Sequence, residues 1–310
     1  MKHRLLMIVI LLALCSPLQS APQINLPLKG GSVRFAVIGD MGTGKQPQYE
    51  TAQEMVKARQ SFPFQFVITM GDNIYGGHSP RDFERKFELP YKPLLDAGVK
   101  FYASLGNHDP AGERAYKFFN MNGANYYAFT KGNVRFFALD SNYMDPKQLS
   151  WLRSQLQDAD KSEWRICFFH HPLYSTAKQH GPSTDLRLLL QPLFIEYGVN
   201  VVFSGHEHVY ERIQPQAGIY YFIEGASGQL RYGNLEKHSS IMATGFDTDN
   251  SFMLVEVAGD TMYFDTVSRT GKTVDSGTIQ RIANGTNSSL SLRASGLSTI
   301  RAGISPSRLR

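Results

Sequence analysis

Asp40, Asp72, Tyr75, Asn107, His108, Asp109, His170, His171, His180, His206 and His208 are side chains that can hold hard metal ions or move protons. All but His180 stand at the end of a short apolar run: VRFAVIGDMG (33–42), FQFVITMGDNIY (64–75), KFYASLGNHD (100–109), WRICFFHH (164–171) or VNVVFSGHEH (199–208). Six of the nine histidines fall in or just after these clusters. His206 and His208, at i and i+2, can reach one site from a single loop. The repetition predicts that carboxylates, imidazoles, an amide and a phenol share the same edge of one sheet. Residues placed this way build a metal centre.

The runs that carry these residues are rich in Val, Ile and Phe and bounded by Gly-containing turns, so they read as buried strands. Helical patterns lie between them. Residues 48–60 place Ala52, Met55 and Val56 at helical spacing. Asp145-Pro146-Lys147-Gln148 has an N-cap acceptor, Pro at the first helical position and Gln three residues after the cap. It opens onto Leu149, Leu152 and Leu156 as one apolar face. Residues 183–197 form a further helix that ends before Gly198. Segments 125–129 and 134–139 read as a hairpin. After Tyr210 the pattern turns β-rich (219–223, 252–257, 262–267), which predicts a second sheet packed on the first. The expected fold class is α/β: a two-sheet β-sandwich flanked by helices, with the site beyond the carboxyl ends of the strands.

The ends of the chain differ from its middle. Lys2, His3 and Arg4 precede an apolar run from Leu5 to Cys15, then Ser-Pro and small residues near Ser20-Ala21. This is the order of a secretory signal peptide, read as residues 1–21. The run falls well short of the ~20 residues that span a bilayer. Residues 281–310 are rich in Ser, Gly and Arg without periodicity and read as a disordered tail, leaving one domain over 32–280. The formal charge of +5 is therefore misleading. Two of the 32 Lys and Arg sit in the leader and five in the tail, so the core holds 25 bases against 27 acids. That balance removes the reason to expect nucleic acid, or a membrane once the leader is gone. Of the two cysteines, Cys15 lies in the leader, so Cys167 is an unpaired, buried thiol.

Taken together and in order, GDMG, GDNIY, GNHD, FFHHPLY and GHEH resemble the metallophosphoesterase pattern. The Tyr of GDNIY resembles the purple acid phosphatases in particular. QLSWLRSQLQDAD, then HHPLYSTAKQHGPS and the GHEH segment, most resemble their small, tartrate-resistant branch, and the likeness spans about residues 33–265. The resemblance implies the calcineurin-like fold and two metal ions. Asp40, Asp72, Tyr75 and His208 would hold Fe(III). Asp72 would bridge to a second ion, Fe(II), Zn or Mn, also bound by Asn107, His170 and His206. It implies His108 and His180 as non-ligand histidines at the substrate. His171 is read as a pocket-wall group beside the metals, and Asp109 as orienting His108. The donor set contains no thiolate, which suits iron, manganese or zinc. Two such ions about 3.5–4 Å apart can clamp both ends of an in-line phosphoryl displacement and generate hydroxide near or below neutrality. An imidazole, with an ordinary pKa of about 6.5, can protonate the leaving oxygen.

The resemblance thus implies a secreted acid phosphatase acting on small phosphate monoesters, with no obligatory protein partner. A phosphodiesterase or nucleotide pyrophosphatase on the same scaffold, and an iron redox protein, remain open. Mammalian relatives carry a long repressive loop before the QLSWL helix. Here 140–144 leads almost at once into it, and the relatives' disulfide has no counterpart. Arg231 and Lys237 either steer phosphate or are solvated.

Overall fold

In the computed structural model, residues 24–160 and 163–281 are described. The leader assigned to 1–21, and all but Arg281 of the tail assigned to 281–310, lie outside the described residues. The chain opens with β1 (Val33–Ile38), α1 (Gln46–Ser61), β2 (Phe66–Thr69), α2 (Pro80–Phe83) and a π turn at Glu84–Glu88. There follow α3 (Lys92–Asp96), β3 (Lys100–Ala103), a 3₁₀ turn at Ala111–Ala115, β4 (Tyr127–Lys131), β5 (Val134–Ala138) and α4 (Pro146–Gln157). Next come β6 (Trp164–Phe168), α5 (Thr184–Glu196), β7 (Val201–Ser204), β8 (Tyr210–Gln216) and β9 (Ile219–Glu224). The described chain closes with β10 (Met242–Phe246), β11 (Ser251–Ala258), β12 (Thr261–Ser268) and β13 (Thr273–Gln280).

These strands form two sheets, ordered β13-β12-β11-β1-β2-β3 and β10-β8-β9-β7-β6-β5-β4. The sandwich expected from the sequence is present, but its division differs from the expectation. The five motif-bearing strands do not share one sheet: β1, β2 and β3 lie in the first, β6 and β7 in the second. Nor do the later strands form a sheet of their own, since β8–β10 extend the second and β11–β13 the first. Short apolar runs announce buried strands, yet carry no information about which neighbours they pair with.

Side-chain alternation along the strands explains the layering. In β1, Ala36 and Ile38 face α1, packing with Ala52, Met55 and Phe62. Phe35 and Val37 face the other sheet, in a core with Phe66, Phe136, Phe203, Phe222 and Phe264. The Phe35 and Phe66 rings stack at 5.3 Å, and Phe136 meets Phe35 edge-on at 5.3 Å. A third core, with Leu152, Leu156, Leu190 and Phe194, packs α4 and α5 on the outer face of the second sheet. Strands covered on both faces are largely apolar, as β6 (WRICF, all buried) is apart from Arg165, whose guanidinium donates to the Ala159 carbonyl. Cys167 is free and buried there.

The helix starts follow the sequence closely. The Asp145 carboxylate accepts from Gln148 N at 2.7 Å and caps α4. Gln148 then turns inward and bonds Asp140 N, Asp140 O and Tyr143 O, fixing the short 140–143 link. Among the described residues no helix is long and apolar enough to cross a membrane.

Candidate metal centre

The carboxyl ends of β1, β2, β3, β6 and β7 point to one place from two sheets, and the loops beyond them bring the predicted residues together. Asp40, Asp72 and His208 offer ligand atoms within 4.8 Å of one another, and so do His170, His171 and His206. Tyr75 joins the first group: its hydroxyl donates to Asp40 Oδ1 at 3.0 Å and lies 3.2 Å from His208 Nε2. Asn107 joins the second, its Oδ1 lying 2.9 Å from His170 Nε2. His206 Nδ1 is 3.1 Å from that same nitrogen. Asp72 links the groups, since its Oδ1 approaches His170 Nε2 at 3.5 Å.

The donor chemistry fits metal ions. His170 Nδ1 lies 2.8 Å from the Met70 carbonyl. A carbonyl can only accept, so Nδ1 carries the proton and Nε2 presents a lone pair. That lone pair faces Asn107 Oδ1 and Asp72 Oδ1, both acceptors, an arrangement that a cation between them satisfies. Donor separations near 3 Å are what adjacent ligands of one ion require when each lies about 2.1 Å from it. A carbonyl behind the imidazole is also the usual support of a ligand histidine.

Burial sets the electrostatics. Asp40 is fully buried, and burial followed by the charge of Asp72 raises its carboxyl well above the ordinary range. Burial, with Asp40 and Asp72, likewise raises the Tyr75 phenol. The imidazoles move the other way: His206 falls to about 2 through burial and then His170, and His208 to about 4 through burial and then Arg231. Burial also lowers His170 and His171. Neutral imidazole is the ligand form, so the histidines stand ready for a metal, and it is at Asp40 and Tyr75 that protons compete with one.

The backbone is strained at these residues. Asp40, Asp72 and His206 have φ of 52°, 49° and 68°, a left-handed conformation uncommon outside glycine. Glycines admit the close approaches: a Cβ on Gly106 would meet Asp72 N and Oδ1 at 2.2 Å.

Around the donors stand the other expected residues. His108 N donates to Asp72 Oδ1 at 2.9 Å, and its ring lies 4.9 Å from that of Tyr75. The His180 ring lies 4.3 Å from that of His206. His171 Nδ1 is 2.9 Å from Ser141 Oγ. Asp109 takes another part: its carboxylate accepts from Gly106 N, Asn73 N, Asn73 Nδ2 and Ile74 N, tying the β2 and β3 loops together. Burial and Asp72 raise it to about 7. Of the two rim cations, Lys237 pairs with Asp247 at 3.5 Å and is 61% exposed. Arg231 is half-buried beside His180 and His208, and its Nη1 finds no hydrogen-bond partner among the described residues.

Sequence reasoning missed Glu113, Glu207 and Glu224, each buried near the centre. Burial raises Glu113 to about 10, with Asp109 adding to it, and Glu224 to about 8. Glu207, between His206 and His208, was the one signalled by its motif.

The chain matches the calcineurin-like phosphoesterase family over residues 33–210 and belongs to it. Relatives include mouse tartrate-resistant acid phosphatase type 5, 28% identical over 295 residues, covering 78% of this chain and 89% of that one. Purple acid phosphatase 17 of Arabidopsis thaliana is 26% identical, covering 64% and 69%. A purple acid phosphatase from yellow lupin seeds superposes with a TM-score of 0.67 at 18% identity, over 81% of this chain and 54% of that one. The inner-membrane-complex anchor GAP50 of Plasmodium does so at 0.70 and 20%, over 81% and 89%. These two structures share the fold, and the family brings with it the expectation of a binuclear metal centre.

Proton bookkeeping gives a test. Asp109, Glu113 and Glu224 keep protons in the folded, metal-free chain that the unfolded chain releases above its ordinary carboxylate pKa. Their stabilising effect is complete below about pH 4 and is lost as pH rises toward about 7, 10 and 8 respectively. His206 and His208 act oppositely, but only below their unfolded value of about 6.5. Above pH 6.5 the melting temperature of metal-free protein should therefore fall toward pH 8. The rise on adding Zn(II) or Mn(II) should be larger at pH 8 than at pH 6, since bound protons no longer compete. Scanning calorimetry across this range checks both; a metal-induced rise that shrinks with pH contradicts the assignment.

Proposed function

We propose that this chain is a secreted acid phosphatase that hydrolyses small phosphate monoesters at a two-metal centre. The observation that carries the reading is the pair of donor groups joined through Asp72 at the mouth of the two sheets. Similarity to tartrate-resistant and purple acid phosphatases supports the reaction class. Asp40, Asp72, Tyr75 and His208 would hold Fe(III), and Asp72, Asn107, His170 and His206 would hold Fe(II), Zn or Mn. When bound, such a pair supplies Lewis-acid charge to a phosphoryl group and lowers the pKa of water. The leader pattern at residues 1–21 supports secretion.

The chain's own groups supply the rest. Asp72 places one carboxylate between the two donor groups, where it would offset the repulsion of two cations. His170 is held in its ligand tautomer by the Met70 carbonyl. His108 stands beside Tyr75 and His180 beside His206, where a proton can be handed to the leaving oxygen. Partial desolvation lowers His180, Glu207 opposes this and Arg231 adds to it, so its protonated form is favoured at acid pH. A proton donor of this kind is lost as pH rises, which gives the acidic optimum a cause in the chain itself.

His108→Ala and His180→Ala should each keep their metal yet lower turnover of an alkyl phosphate by about 10²–10⁴-fold, the usual contribution of a proton donor. The loss should shrink on p-nitrophenyl phosphate, whose leaving group needs no proton. Metal analysis with kinetics on both substrates decides, and equal losses on both assign the histidines to binding instead.

Tyr75→Phe offers a spectroscopic check. Phenolate bound to Fe(III) absorbs visible light, so the iron-loaded, oxidised protein should be pink to violet and the variant colourless. The ring volume is conserved, so the fold should persist. An uncoloured wild-type protein containing Fe(III) would place Tyr75 outside the ligand set.

A further inference from the structure

Glu207 stands between His206 and His208 and is fully buried. Its Oε1 accepts from the backbone N–H of His180 at 3.0 Å and of Gly181 at 2.6 Å. Its Oε2 accepts from Asn234 Nδ2 at 3.1 Å. One carboxylate thus joins three segments: the turn after β7, the loop between β6 and α5, and the loop between β9 and β10. Those two loops also pair with each other, through Lys178 N to Asn234 O at 2.9 Å and Glu236 N to Thr176 O at 3.0 Å. The result is a two-stranded strap beside the metal centre, with Glu207 beneath its tip.

His180 needs such support. It is exposed, its ring meets that of His206 at 4.3 Å, and among the described residues no hydrogen bond holds it. Gly181 turns the chain immediately after it with φ of 73°. The place of the imidazole therefore depends on its backbone, and Glu207 grips that backbone at two successive N–H groups. The turn carrying His206 and His208 has other supports: His206 N bonds Asp40 Oδ2 at 2.9 Å, and Arg231 N bonds His208 O at 2.9 Å.

We propose that Glu207 is a positioning residue: by binding the His180 and Gly181 N–H groups it sets the His180 imidazole against the leaving oxygen of the substrate. The proposal rests on the reading of His180 given above. A group displaced by about 1 Å can cost about 10²-fold in rate, so removing the carboxylate should cost a large share of what His180 contributes.

Glu207→Ala, Glu207→Gln, His180→Ala and the Glu207→Ala/His180→Ala double variant, all metal-loaded, test it on glycerol phosphate and p-nitrophenyl phosphate. Glu207→Ala should retain two metals per chain. Its kcat should fall about 10–10²-fold on the alkyl ester and much less on the aryl ester. The double variant should be no slower than His180→Ala. Glu207→Gln keeps the Oε1 acceptor and should recover most of the turnover. Three results would overturn the proposal: a loss that multiplies with that of His180→Ala, an equal loss on both esters while His180→Ala discriminates between them, or metal loss from both Glu207 variants. If His180→Ala itself shows no leaving-group dependence, the reading of His180 fails. Non-additivity then still decides whether Glu207 acts through it.

Discussion

Six acids (Asp40, Asp72, Asp109, Glu113, Glu207 and Glu224) and four imidazoles are packed where the carboxyl edges of two sheets meet, and the need to compensate their burial governs the local structure. Asp40, Asp109, Glu113 and Glu224 are all pushed upward by burial, while His170, His171, His206 and His208 are pushed downward. Asp72 adds to the difficulty of Asp40 and Asp109. Buried ionisable groups are costly unless paired or bound to metal. Two sets of these groups, Asp40 with Asp72 and His208, and His170 with His171 and His206, lie close enough to share a cation.

The scaffold is organised to keep those groups apart from water yet close to one another. The inter-sheet aromatic core ends where the site begins, so the loops that carry the donors start from the ends of buried strands. Three of them occupy strained left-handed backbone, and glycines such as Gly106 let the loops approach within van der Waals distance. The strain is held by specific bonds: Asp109 binds four N–H groups from two loops, and the Asp40 carboxylate receives His206 N. Remove the tight turns, and the same residues would still be present but no longer convergent.

The motifs were legible because each requirement leaves a local mark. Gly-Asp after an apolar run, the Asp145–Gln148 cap and the inward face of α4 all follow from short-range rules, and the structure places every named donor at the site. Sheet membership was not legible. Pairing β1 with β11 joins residues more than 200 positions apart, and nothing in either run specifies the partner. Asp109 accepts from three backbone N–H groups and the Asn73 side-chain amide, partners that sequence cannot assign to an acceptor. Glu113 and Glu224 were invisible for a related reason: an acidic residue is read as solvated until the fold buries it. Glu207 shows both sides, being conspicuous within GHEH but meaningful only once the His180 loop folds onto it.

The central claim is that Asp72 is shared by two ions, one toward β1 and β2 and the other toward β3, β6 and β7. Anomalous diffraction at the iron, zinc or manganese edge from crystals of metal-loaded protein measures this directly. Two peaks about 3.5–4 Å apart, both within bonding distance of the Asp72 carboxylate, are expected. A single peak, or two peaks of which only one touches Asp72, would contradict it.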